Sequence, residues 1–293
     1  MADDLNASFK RAFPGRAVPK SAVAKCELLM GHLLPSVSDD RLERFCEYFR
    51  QQVRQHYTKL NTVQNAFVRL RKLAKNVRPS SVSVSQRVFQ ISEQEKQRAR
   101  ATSERRVEEN NNSVISFSQR QIERWVKQLK KSDDPIDHIT LLMFQSGLRL
   151  IEVLRVAEVA PAESKTAVTV TRVAKQRGRT FKPLEKPLLF TTYDAFVRTL
   201  EKTREYVRGK TNGRNGKRTN QEITNTFNHT VNERIRSLTG GTYSSHIARK
   251  IYGALSYKLF ADPAKVSLNA WLEKVLGHKN ITTSLSYSNV HVD

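Results

Sequence analysis

Between residues 21 and 75 the apolar positions recur every three or four residues, the spacing that gathers them on one side of an α-helix. Val23, Cys26, Leu29 and Leu33 form one such stripe from Ser21 to about Leu34, stopped by Pro35. Ser38-Asp39-Asp40 then supplies an N-cap and first-turn acids to a second helix carrying Leu42, Phe45, Cys46, Phe49 and Val53. A third carries Leu60, Val63, Phe67, Leu70 and Leu73, with Lys59, Arg69, Arg71, Lys72 and Lys75 on its other face. Residues 1–17 read as a loose, basic arm. The pattern predicts a small helical bundle, residues 1–91, with one basic side.

Pro79-Ser80-Ser81 interrupts the periodicity, and residues 92–112 contain almost nothing apolar. That stretch predicts a hydrophilic helix or linker over 92–113. A second domain, 114–293, follows. Ser118 is placed to cap a helix holding Ile122, Val126 and Leu129, and Asp133-Asp134-Pro135 opens another with Ile139, Leu142, Met143 and Phe144 inside, ended by Gly147. Ala167–Thr171 is rich in β-branched residues, and Lys186–Phe190 is a partner strand for it, with a basic turn, Lys175-Gln176-Arg177-Gly178-Arg179, between them. Helical spacing resumes over Tyr193–Val207, and residues 208–220 form a basic, glycine-rich loop. The expected fold is therefore mainly α: a helical bundle, then a mostly helical domain with a small antiparallel sheet.

Charge changes the picture. Lysine and arginine number 51 against 28 acids, a net charge of +23. A surface so cationic attracts polyanions, double-stranded DNA first among them. Lys59, Arg69, Lys72 and Lys75 on the third helix, and Arg208, Lys210, Arg214, Lys217 and Arg218 in the loop, are the expected phosphate contacts. The two cysteines, Cys26 and Cys46, lie inside apolar helical stripes and make no metal-binding spacing. No metal site and no cofactor is expected. No basic segment followed by an apolar run opens the chain, and no stretch of membrane-spanning length occurs. The expected setting is intracellular, with DNA and away from membranes: bacterial cytoplasm, or the nucleus or a virus-infected cell.

One set of residues carries chemistry. In chain order these are Gly147-Leu148-Arg149 with Glu152, Lys175, His246-x-x-Arg249, Leu276-Gly277-His278, and Tyr287 nine residues after that histidine. Arginine forks neutralise the non-bridging oxygens of a phosphodiester in transit. A tyrosine hydroxyl can attack the phosphorus once its proton is taken, since its ordinary pKa is near 10. Histidines can take or give protons near neutrality. A lysine on a hairpin can protonate the departing oxygen. Glu152 reads as structural. Such a set cuts DNA covalently without needing a metal.

These ordered motifs resemble those of the tyrosine recombinase (phage integrase) superfamily, over roughly 114–293, and the bundle before them is similar in pattern to that family's core-binding domain. The resemblance implies a site-specific recombinase or integrase acting through a 3′-phosphotyrosyl intermediate, without ATP. Arg149, Lys175, His246, Arg249, His278 and Tyr287 would be its catalytic residues, and protomers would self-associate as a dimer or tetramer on DNA, clamped between the two domains. Two departures stand out. Lys250 follows Arg249 where the family often has a histidine, and only six residues follow Tyr287, where many members place a further helix. The short ending predicts a monomer in DNA-free solution. The Leu285-Ser286-Tyr287 ending with Val290 also resembles hairpin telomere resolvases, the alternative reading. A type IB topoisomerase, or a DNA-binding protein that has lost catalysis, are the others.

Overall fold

The computed structural model describes residues 5–112, 114–174, 182–211, 218–241, 243–277, 287 and 289–293. It divides into two compact units, Met1–Arg106 and Val107–Asp293.

The first unit is all helix: α1 (Leu5–Ala12), α2 (Ala22–Leu33), α3 (Leu42–His56), α4 (Leu60–Val77), α5 (Val82–Val88) and the start of α6 (Glu93–Asn112). Residues 1–17 are not simply a loose arm. Leu5 and Phe9, one turn apart, put α1 against the core of Cys26, Met30, Phe49, Phe67 and Leu70. The basic residues around them mask that short apolar pair in the sequence. Ser21 caps α2 by accepting the Ala24 N–H. Both cysteines are buried free thiols, and burial pushes the Cys26 thiol up to about 12. The polar stretch 92–112 is the helix α6, opened by Ser92 and Glu95, which bond each other's backbone N–H groups reciprocally.

In the second unit β1 (Ile115–Phe117) leads into α7 (Gln119–Lys130), capped by Ser118, and α8 (Pro135–Ser146), capped by Asp134. A π-turn, Glu152–Val156, precedes β2 (Glu158–Pro161), β3 (Ala167–Arg172) and β4 (Leu184–Pro187), an antiparallel sheet in the order β2-β3-β4. The second strand of the predicted pair starts earlier than the expected Lys186. The Leu188 N–H goes to Thr166 and the Leu189 N–H to Gln145, and Phe190 takes a positive φ of 58°. The apolar run therefore turns into the core rather than lengthening the sheet.

Then come α9 (Tyr193–Thr211), α10 (Asn220–Thr239), α11 (His246–Phe260), α12 (Leu268–Leu276) and β5 (Val290–Val292). A full capping box of Thr219 and Glu222 starts α10, and Arg234 on it grips the buried Asp137 of α8 at 2.5 and 3.0 Å. Strand β5 pairs in parallel with β1, Ile115 opposite Val290, so the residues after Tyr287 close back onto the unit's first strand. The core packs α8 and α11 at its centre, with Leu142, Phe144, Ile251, Tyr252 and Leu255 almost wholly inaccessible. No helix among the described residues is long and apolar enough to cross a membrane.

Candidate active site

Helix α8 ends at Gly147, whose φ of 61° favours glycine. A Cβ there would meet Tyr252 Cδ1 at 2.3 Å, so the ring demands glycine as well. Beyond this turn Arg149 is locked by Glu152. The carboxylate accepts the Arg149 N–H at 2.8 Å through Oε2 and Nη1 at 2.7 Å through Oε1, and also receives the Ala174 N–H at 3.3 Å. Glu152 is fully buried. Burial pushes its carboxyl up, but the charges of Arg149 and Arg249 and the Arg149 hydrogen bonds outweigh that and hold it below the usual carboxylate value.

The π-turn that presents Glu152 is itself held. Arg204 of α9 donates to the carbonyls of Val153 at 3.0 Å, Glu152 at 2.9 Å and Ala157 at 2.6 Å. Nothing in the local sequence marks Arg204 for this, because its acceptors lie about fifty residues away.

Arg249, on the first turn of α11, is 2% exposed. Its Nη1 donates to the Gly147 carbonyl and its Nη2 to that of Leu276 at 2.7 Å, satisfying backbone oxygens at the ends of α8 and α12. Glu152 Oε2 stands 3.9 Å away. Among the described residues its buried Nε has no hydrogen-bond partner. Burial and then the Arg149 charge lower this arginine's pKa, while Tyr287 and Glu152 oppose them; a guanidinium stays protonated regardless.

Tyr287 is buried, with its hydroxyl 3.0 Å from His246 Nε2 and the two rings nearly perpendicular, centroids 5.3 Å apart. His246 is the first residue of α11, and the Ser245 N–H just before it is tied to Asn232 Oδ1 at 2.6 Å. The positive end of the helix favours negative charge developing on the tyrosine oxygen. One turn further, Lys250 donates to Asn289 Oδ1 at 2.8 Å and holds its Nζ 5.9 Å from the Tyr287 ring centre. Burial lowers its pKa. A residue that stands out in the sequence only as a departure from the family pattern thus sits beside the tyrosine.

Of the six residues expected to act together, Arg149, His246, Arg249 and Tyr287 converge around Glu152 and the start of α11. Lys175 and His278 lie outside the described residues, as do Arg214 and Lys217. A different lysine, Lys186, which none of the motifs includes, is buried close to Arg249, Glu152 and Arg149.

The other basic residues are on the surface. Lys59, Lys72 and Lys75 are exposed on and before α4. Arg69 is exposed too but is engaged by Glu27, with Nε at 2.6 Å from Oε1. Arg208 and Lys210 project from the last turn of α9, and Arg218 lies just ahead of α10 with its carbonyl accepting from Arg155 at 2.8 Å.

Residues 113–289 match the family described as the telomere resolvase ResT/TelK catalytic domain. No curated protein matches the chain in sequence. Among solved structures, protelomerase TelA covalently complexed with substrate DNA is similar at a TM-score of 0.74 and 18% identity, covering 99% of this chain and 95% of that one. A TelA variant complexed with a DNA hairpin product gives 0.73 at 17%, with the same coverage. Protelomerase TelK complexed with substrate DNA gives 0.60 at 16%, covering 93% of this chain and 59% of that one. Identities this low establish the fold alone. The family match spans more than half the chain and ends just beyond Tyr287; the chain belongs to the telomere resolvase family of tyrosine recombinases, enzymes that bind DNA and cleave and rejoin its strands.

Proposed function

We propose that this protein makes hairpin DNA ends: it cuts both strands of a duplex through 3′-phosphotyrosyl links to Tyr287 and joins the two strands of each half to one another. The observation that carries the chemistry is the 3.0 Å contact between the Tyr287 hydroxyl and His246 Nε2, beside a buried Arg249 whose Nε has no hydrogen-bond partner among the described residues. In the neutral imidazole protonated on Nδ1, Nε2 accepts the phenol proton as the oxygen attacks phosphorus. Arg249 Nε–H and the N–H groups of Arg149 that Glu152 does not engage neutralise the non-bridging oxygens, and Glu152 keeps Arg149 aimed. Lys175 is the candidate donor to the departing 5′-oxygen, with His278 assisting at the phosphate. The phosphotyrosyl ester keeps the energy of the broken bond, so a 5′-hydroxyl can reverse the step without ATP.

Hairpin joining is favoured over exchange between duplexes by the family match across 113–289, and it is the reaction of which TelA has been captured with its hairpin product. Two strands must be cut and each chain offers one Tyr287, so two protomers would meet on the DNA. The test is a linear duplex carrying the candidate site, incubated with protein and run on a denaturing gel. Halves that migrate as joined strands of double length support hairpin formation. Recombinant products with open ends would support a recombinase instead, and Tyr287→Phe should give neither.

A further inference from the structure

Strand β4 has an inner and an outer face, and its sequence disobeys the usual division. Glu185 faces solvent; Lys186 faces inward, paired across the ladder with Val168, itself completely buried. A strand half-covered by core calls for an apolar residue at that position. Lysine is almost never fully buried unless paired, yet Lys186 is 2% exposed. Among the described residues its ammonium has no hydrogen-bond or ion-pair partner; Nζ rests 5.1 Å over the ring centre of Tyr252.

That ring ties Lys186 to the DNA-cleaving centre. The Tyr252 hydroxyl donates to the Pro187 carbonyl at 2.9 Å, fixing β4 to α11, while the ring abuts Gly147, whose carbonyl holds Arg249. Among the described residues the groups facing Lys186 are Arg249 and Tyr252 from α11, Glu152 from the π-turn and Arg149 from the turn before it. Strand β3 offers only Val168, and Glu273 and Lys274 on α12 point to solvent. A protonated Lys186 would make three cations around one carboxylate, and that carboxylate already bonds Arg149. Among the described residues that would leave two positive charges uncompensated, against one with a neutral lysine.

We propose that Lys186 is a second lysine of the cleaving centre, a positioning residue behind the arginines that takes up a proton from solvent when a phosphate-like anion docks beside Arg149 and Arg249. The inference rests on the DNA-cleaving reading for its biological anion, the scissile phosphate, but its physics needs only a tetrahedral oxyanion. Burial first, then the charge of Arg249, lowers the lysine's pKa well below its ordinary value, with Glu152 opposing. An arriving anion reverses the local field and restores the ammonium, which then helps hold the arginines' partner in place.

The test uses the full chain, without DNA, and compares wild type with Lys186→Met, which keeps the length of the stem. Between the lowered folded value and about 10.5, the unfolded state binds the extra proton, so wild-type stability rises with pH across that window. The Met variant lacks this dependence. It should be the more stable protein at pH 7, with the gap in denaturation midpoint narrowing as pH approaches 10, and saturating sulfate should shrink the gap at pH 7. A gap that does not change with pH, or that sulfate leaves unchanged, overturns the proposal. Should Lys186→Met fail to fold, Lys186→Leu takes its place, and failure of both apolar variants to fold also overturns it. Because no DNA is present, a negative result in the hairpin assay with a positive one here would discard the DNA reaction and keep the lysine's role.

Discussion

Arg249 and Lys72 carry the same formal charge in opposite surroundings. Arg249 is buried, bonded to two backbone carbonyls and 3.9 Å from a buried carboxylate. Lys72 extends from α4 into water. A charge fixed in a poorly screened interior acts strongly and needs no reorganisation when a phosphate's charge redistributes. One in solvent is screened beyond about 8 Å at physiological salt and mostly releases counterions from the DNA it meets. The +23 charge thus contains two populations: a few buried cations suited to the transition state, and many exposed ones suited to binding.

The sharpest way to break this division is Arg249→Lys. The charge survives but the fork does not, so one of the two carbonyls and the phosphate lose their donor. Single-turnover cleavage at saturating DNA should fall by about 10²–10³ or more, the range for losing one preorganised oxyanion donor. Lys72→Ala should leave that rate unchanged. Next is Gly147→Ala, which adds a methyl against Tyr252 at a positive φ. It should destabilise the second unit by about 1–3 kcal/mol in urea denaturation, the usual cost of overpacking or of a strained backbone. A smaller effect is expected for Lys72, Lys75, Arg208 and Lys210 changed together to alanine. Each one that contacts a phosphate should flatten the slope of log affinity against log salt by about 0.9, whereas Arg249→Lys should hardly alter that slope. The least effect belongs to Arg69→Ala. Its pair with the half-buried Glu27 lies at the surface and should contribute no more than about 1 kcal/mol, less in high salt.

The same contrast explains what could be read from the sequence. Helices α2, α3, α4, α7 and α8 announce themselves by local apolar spacing and caps, and Gly147, His246, Arg249 and Tyr287 by motif spacing. Features that depend on distant partners do not. His246 and Tyr287 are 41 residues apart, and only the fold brings them to 3.0 Å. Arg204 looks like any charged residue of an amphipathic helix until its three carbonyl acceptors, 47 to 52 residues away, are known. Lys186 was legible only as part of a run beginning a strand. With the strand beginning at Leu184, the same residue falls on the inner face, where alternation would have flagged it. Leu5 and Phe9 are hidden by the basic residues beside them, and the β1–β5 pair joins segments too short to carry a signal alone.

The central claim is that Tyr287, activated by His246, becomes bonded to DNA. The direct measurement is to trap the protein on a duplex nicked near the cleavage site, digest both components and identify the modified peptide by mass spectrometry. The account predicts a nucleotide joined through its 3′-phosphate to Tyr287, and no adduct in Tyr287→Phe. An adduct on Tyr243, Tyr252 or Tyr257, or one that persists in the phenylalanine variant, would contradict it.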